Sequence, residues 1–231
     1  MKHYLTFSAA LLLAACGSDD NDEPTVPEPV VITTEFNDGK QGWEAGFSDY
    51  PVDDEEIYEL EAEIADLPDE SGDQGFRLKG MNRSDDLFMY LKGRVVGLHP
   101  NTDYTLHGSV SFFSNAGADC IGIGGAPGES VYVKMGATEI EPEQLDFYMN
   151  IDKGNQSQPG NDAIVIGNIV AEGANCEGTA FGEKTLEVAL EDGFEVQSSA
   201  SGELWIMIGT DSGYEGLTDM YYTEVHLTLT P

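Results

Sequence analysis

Apolar and polar side chains alternate in short bursts along most of this chain. Tyr104, Leu106, Gly108, Val110 and Phe112 take every second position, with polar residues between them. Tyr58, Leu60, Ala62 and Ile64 alternate with Glu59, Glu61 and Glu63. Period two is what a strand with one buried face requires. Ile57, Leu60, Ile64 and Leu67 also satisfy a helical repeat; strand is preferred there because the neighbouring segments are strands. Residues 30–36 and 164–170 are rich in β-branched side chains, and 87–91 are nearly all apolar, as in a strand covered on both faces. Further strands are expected at 42–47, 75–80, 131–135, 145–149, 186–190, 204–208 and 221–229, with Gly, Asp and Asn turns between them. About a dozen strands without an amphipathic helix predict an all-β sandwich or barrel. No period of about 20–50 residues repeats, which excludes a propeller or solenoid.

The first 29 residues follow a different pattern. Lys2 precedes a mostly apolar run that ends in Leu13-Ala14-Ala15-Cys16. A basic start, an apolar middle and small residues at the cut describe a secretory leader. Leu-Ala-Ala-Cys resembles the lipobox of bacterial lipoproteins, which implies cleavage before Cys16, acyl chains on that cysteine and a mature chain anchored to a membrane. Gly17 after the cysteine is similar to the pattern of outer-membrane lipoproteins. Residues 17–29 hold five acids, no base and three prolines. Such a segment buries too little apolar surface to order itself, and reaches at most ~45 Å. The expected organisation is therefore a signal peptide over 1–15, a lipidated cysteine and tether over 16–29, and one domain over 30–231. No later run approaches the ~18 apolar residues of a membrane span.

Charge narrows the partners. Lys and Arg number 10 against 43 Asp and Glu; losing Lys2 takes the formal charge from −33 to −34. Long-range repulsion disfavours nucleic acid and a bare anionic membrane surface. Cations, neutral glycans and basic proteins are compatible. With Cys16 taken by lipid, Cys120 and Cys176 remain as one pair in an oxidising compartment and are expected to form a disulfide. A two-cysteine metal site would lack any close His or Cys.

Three stretches resemble jelly-roll, galactose-binding-like carbohydrate-binding modules. They are Phe36-Asn37-Asp38-Gly39 with Gly42-Trp43, the segment from Leu98 through His99-Pro100-Asn101-Thr102 to Tyr104, and Tyr221-Tyr222-Thr223-Glu224-Val225. The resemblance implies a jelly-roll-like antiparallel β-sandwich. It also implies a structural calcium tying the first strand region to the last strand, for which Glu35, Asp38 and Glu224 match best. Sandwiches of this kind hold sugars on flat aromatic rings beside amides and acids; Trp43, Tyr50, Tyr58 and Tyr214 lie near expected loops and are the candidate platforms, whereas Trp205 reads as core. The long middle, 114–128 and 152–185, departs from a compact module of that kind.

The stretches that could carry catalysis do not cohere. Residues 122–130 are glycine-dense, but Ile123 and Glu129 stand where a phosphate loop needs Gly and Lys. Asp211-Ser212-Gly213 resembles one half of an aspartic-protease pair without its second copy, and is expected to form a turn. Residues 152–156 form an oxygen-rich loop that turn chemistry explains. The expected function is non-catalytic binding of a glycan or another envelope or extracellular partner. Two alternatives are a carboxylate-dependent hydrolase of glycosidase type and a structural lipoprotein that binds a protein.

Overall fold

The computed structural model describes residues 27–231. Cys16, its leader and most of the tether lie outside the described residues. The strands are β1 (Val30–Glu35), β2 (Glu44–Ser48), β3 (Glu61–Asp66), β4 (Gln74–Met81), β5 (Phe88–Val96), β6 (Asp103–Ser114) and β7 (Val131–Thr138). They continue with β8 (Gln144–Leu145), β9 (Tyr148–Met149), β10 (Ala163–Asn168), β11 (Gly182–Val188), β12 (Phe194–Gln197), β13 (Glu203–Ser212) and β14 (Leu217–Thr230). A seven-stranded sheet runs β11-β6-β14-β4-β3, with β1 paired to β14 beyond the end of β4 and β12 paired to β6 beyond the end of β11. A five-stranded sheet runs β10-β7-β13-β5-β2, and β8 and β9 form a separate small hairpin. Every pairing is antiparallel. The fold is a jelly-roll-like antiparallel β-sandwich.

The core lies between the two inner faces. Leu106, Val110 and Phe112 of β6 meet Leu91 and Val95 of β5, Val133 and Met135 of β7, and Leu204, Ile206 and Ile208 of β13 in one apolar cluster. Each such side chain contributes about 1.5–3 kcal/mol on burial. In β14 the inward residues change parity, from Met220 and Tyr222 to Val225, Leu227 and Leu229. A register shift between Tyr222 and Glu224 permits this: one extra residue turns the strand over by one position. Trp43 is buried in the same cluster, and its indole Nε1 donates to Thr34 Oγ1 at 3.0 Å.

The register defines two ends. Val30 pairs with Leu229, and the loop after β5 bonds to the loop before β13 through Leu98 and Gly202, so residues 27–30 enter at that end. At the opposite end lie Ser48 of β2, Phe88 of β5, Ser212 of β13 and the turns that follow them. Cys120 and Cys176 are joined there by the expected disulfide, across a sequence separation of 56. Closing a loop of that length restrains the unfolded chain by up to about 4 kcal/mol.

Four local expectations are corrected. The alternating segment near residue 58 divides: Glu55–Tyr58 is one helical turn, α1, Glu59 turns the chain with φ 49°, and the strand begins only at Glu61. Residues 145–149 are not one strand, because Asp146 with φ 58° folds them into the β8–β9 hairpin. Asp211-Ser212 is the end of β13 rather than a turn. Trp205 is not core; it faces outward from β13, half-buried, with Lys92 Nζ 5.5 Å from its ring centre. The short β12 was not foreseen, since Phe194 and Val196 are too few to mark a strand.

Candidate functional site

Part of the outer face of the five-stranded sheet, around Phe88, Tyr90 and Met207, is closed to solvent. Residues of the β8–β9 hairpin and the loop that follows it fold back over it. Phe88 and Tyr90 of β5 stack with ring centres 5.5 Å apart, and join Met149, Ala163 and Met207 in a second apolar cluster flanked by Ile151. Tyr90 Oη donates to the Pro142 carbonyl at 3.3 Å, and Lys92 Nζ reaches the same oxygen at 2.9 Å and Glu141 Oε1 at 2.8 Å. Asp49 N donates to the Phe147 carbonyl at 2.7 Å, which pins the hairpin to the end of β2.

Beneath this cover sits an ionic cluster assembled from separate segments. Lys134 of β7 and Asp211 of β13 are both wholly buried. Lys134 Nζ lies 3.0 Å from Asp211 Oδ2 and donates to the carbonyls of Lys153 at 2.8 Å and Gln158 at 3.0 Å. Lys153 Nζ comes to the same Asp211 Oδ2 at 3.0 Å and stands 3.5 Å from Asp49 Oδ2 and 5.0 Å from the Phe88 ring centre. Gln156 N donates to Asp211 Oδ2 as well, and Ser48 Oγ donates to Asp49 Oδ2. Among the described residues no protein group donates to Asp211 Oδ1 or to Asp86 Oδ1, and both atoms are buried.

Burial sets the protonation chemistry. It pushes the Asp86 carboxyl up to about 6; Lys153 pulls it back in part, and Asp211, Asp49 and Asp85 push it further. Burial also raises Asp49, against the opposing pull of Lys153 and Ser48. The Lys134 ammonium is driven below its ordinary range by burial, which outweighs Asp211. Burial pulls on Lys153 in the same direction, but Asp211, Asp49 and Asp86 more than offset it and leave that ammonium favoured.

A cleft of about 140 Å³ opens over the cluster, lined by Asp49, Asp86, Tyr148, Met149, Ile151, Asp152, Lys153, Gly154 and Asn155. Leu145 and Tyr148, cross-strand partners in the hairpin, are 68% and 64% exposed beside it. The Phe147 ring meets Tyr148 edge-on, with ring centres 4.8 Å apart. A flat exposed ring, carboxylates and an amide around one small opening are the groups that hold hydroxylated rings.

The candidate platforms chosen from sequence fall elsewhere. Trp43, Tyr50 and Tyr58 are 1%, 6% and 2% exposed and belong to the main core, because their rings turn inward. Tyr214 is half-buried and lines a separate cavity of about 120 Å³ beside Cys176. The calcium set is not gathered. Glu35 and Glu224 face each other across β1 and β14, exposed, and Asp38 is exposed in the turn after β1. Among the described residues no group of three or more His, Cys, Asp or Glu is arranged to hold a metal ion.

No protein-family model matches the chain, and no curated protein is similar to it in sequence. Several solved structures are similar to it at TM-scores below 0.5. The chain is similar to the mannan-recognising carbohydrate-binding module TmCBM27, with TM-score 0.41 and 11% identity over 87% of this chain and 98% of that one. It is also similar to the CBM22-1 xylan-binding domain of Paenibacillus barcinonensis, with TM-score 0.39 and 8% identity over 86% and 93%. A third likeness is to the enzymatically active domain of the bacteriophage CBA120 tailspike protein 4, with TM-score 0.36 and 10% identity; it covers 80% of this chain but only 19% of that one.

Proposed function

We propose that the protein is a lipid-anchored, non-catalytic glycan-binding domain whose ligand meets the cleft between Tyr148, Asp86 and Asn155. The observation that carries this is the exposed Tyr148 ring, edge-on to Phe147, at the mouth of an acid-lined cleft. Its face suits the apolar side of a pyranose, and the acids and amide suit the hydroxyls. Binding is favoured over hydrolysis because two of the three carboxylates that line the cleft are already held by the protein. Asp49 is shielded and held by Ser48 and Lys153. Asp152 accepts from Gly154 N at one oxygen and from both Asn161 nitrogens at the other.

The anchor is Cys16, and residues 27–30 join the sandwich at the end away from the cleft. Ten residues of β13 separate the ends, which is roughly 30 Å of strand. A tether at one end leaves the cleft facing away from the lipid.

Screening the full chain against a polysaccharide array tests the glycan reading, followed by calorimetry on any hit. Tyr148→Ala is expected to weaken binding roughly tenfold or more while changing stability by less than about 0.5 kcal/mol, because its ring is exposed. An array without hits, or a Tyr148→Ala protein that binds as well as wild type, overturns the glycan reading. Mass spectrometry of the membrane-extracted protein tests the anchor: acyl chains at Cys16 are expected, and a free thiol there refutes it.

A further inference from the structure

The ionic cluster under the cleft is one positive charge short. Asp49, Asp86 and Asp211 face Lys134 and Lys153; Lys134 pairs with Asp211, Lys153 is shared between Asp211 and Asp49, and neither ammonium pairs with Asp86. Asp211 is wholly buried, yet its Oδ1 has no donor among the described residues, and neither has Asp86 Oδ1. The rim adds Asp152, whose partners are uncharged. Unmatched carboxylates in a low-dielectric setting favour the arrival of a cation. A metal ion is a poor fit, because the acids do not converge as ligands and Lys153 Nζ stands between Asp49 and Asp211. A protonated amine needs only acceptors at hydrogen-bond distance, and a cleft of about 140 Å³ admits one ring rather than a chain.

We infer that the cleft selects the end of a glycan carrying a free, protonated amine, with the ammonium set against Asp86 and the sugar ring lying on Tyr148. This rests on the glycan-binding reading and adds its ligand class. The same acids exclude uronates and sulfated sugars by like-charge repulsion.

Calorimetry on the full chain near neutral pH tests it with four probes: a glucosamine tetrasaccharide, its fully N-acetylated counterpart, a galacturonate tetrasaccharide and calcium chloride alone. The glucosamine oligomer is expected to bind about tenfold or more tightly than the acetylated one, as a charge-assisted hydrogen bond implies. Asp86→Asn is expected to bring the two within about threefold of each other, with its melting temperature checked first. The comparison of the two oligomers on wild type needs no variant and stands if that one folds poorly. Equal binding of both oligomers, both lost in Tyr148→Ala, overturns the amine selection and leaves the glycan reading intact. Binding of none of the sugars overturns the amine selection, while the glycan reading falls only if the polysaccharide array is also without hits. Tightest binding of the uronate, or calcium binding that Asp86→Asn removes, overturns the amine selection.

Discussion

Lys153 Nζ and Asp211 Oδ2 lie 3.0 Å apart, on a loop and a strand that share no other role in sequence, and both side chains are almost fully shielded from water. Lys134 converges on the same oxygen. Removing Asp211 would take the nearest carboxylate from two buried ammonium groups, so Asp211→Ala is expected to cost about 3–5 kcal/mol in denaturant unfolding. Lys153→Met should cost less, because Lys134 and Gln156 N still serve Asp211 Oδ2. A loss below about 1 kcal/mol for Asp211→Ala would show that the cluster does not hold the loop to the sheet.

Asp86 gives the protein a definite pH response. Its carboxyl is raised from the ordinary 3.8 to about 6, chiefly by burial. Between those values the folded chain keeps a proton that the unfolded chain has released. Stability from this group is therefore greatest at the acid side and falls as pH rises through that window, the loss being complete above about 6. Asp49 is raised as well and acts with the same sign. Asp86→Asn removes the Asp86 part, so its stability relative to wild type is expected to increase between about pH 4 and pH 7. Unfolding midpoints measured across that range check this; a constant difference contradicts it.

Much of the sandwich was legible because its causes are local. Period two in 104–112 and the β-branched run at 164–170 each became strands, β6 and β10. The all-apolar 87–91 read as covered on both faces, and Phe88 and Tyr90 do face a second apolar cluster while Met89 and Leu91 face the main core. What the sequence could not say was which segment supplies the cover. The hairpin that does so looked like a single strand, because the left-handed turn at Asp146 leaves no mark on the alternation. Nor could it find the cleft. Lys134 stood inside an apolar run and Asp211 beside another, and a lone charge in such a place hints at a buried pair. The partners, however, come from distant loops, and only tertiary packing brings them together. The aromatic residues near turns were misread for the same reason: proximity to a loop does not fix the side to which a ring points, and Trp43 and Tyr58 point inward.

Gly136 of β7 lies against the start of β10 and the loop that leads into it. A Cβ there would lie 2.0 Å from the Asp162 carbonyl oxygen and 2.8 Å from Ala163 Cα, both backbone atoms that no side-chain rotation can clear. Gly136→Ala must therefore displace the paired strand and the loop leading into it, the same loop whose Lys153 and Gln158 carbonyls hold Lys134. Overpacking of this kind costs about 1–3 kcal/mol or more. Gly97 offers a control at the other end of the sandwich. It has φ 84° and nothing within 4 Å of a built Cβ, so Gly97→Ala costs only the left-handed backbone, about 1–2 kcal/mol, and leaves the cleft alone. The two variants separate by their effect on the cleft. Gly136→Ala is expected to weaken whatever ligand Tyr148 supports and to speed hydrogen exchange over 150–162, whereas Gly97→Ala should do neither. Equal, mild behaviour of both would mean that the loop is not seated on β7 through the missing side chain of Gly136.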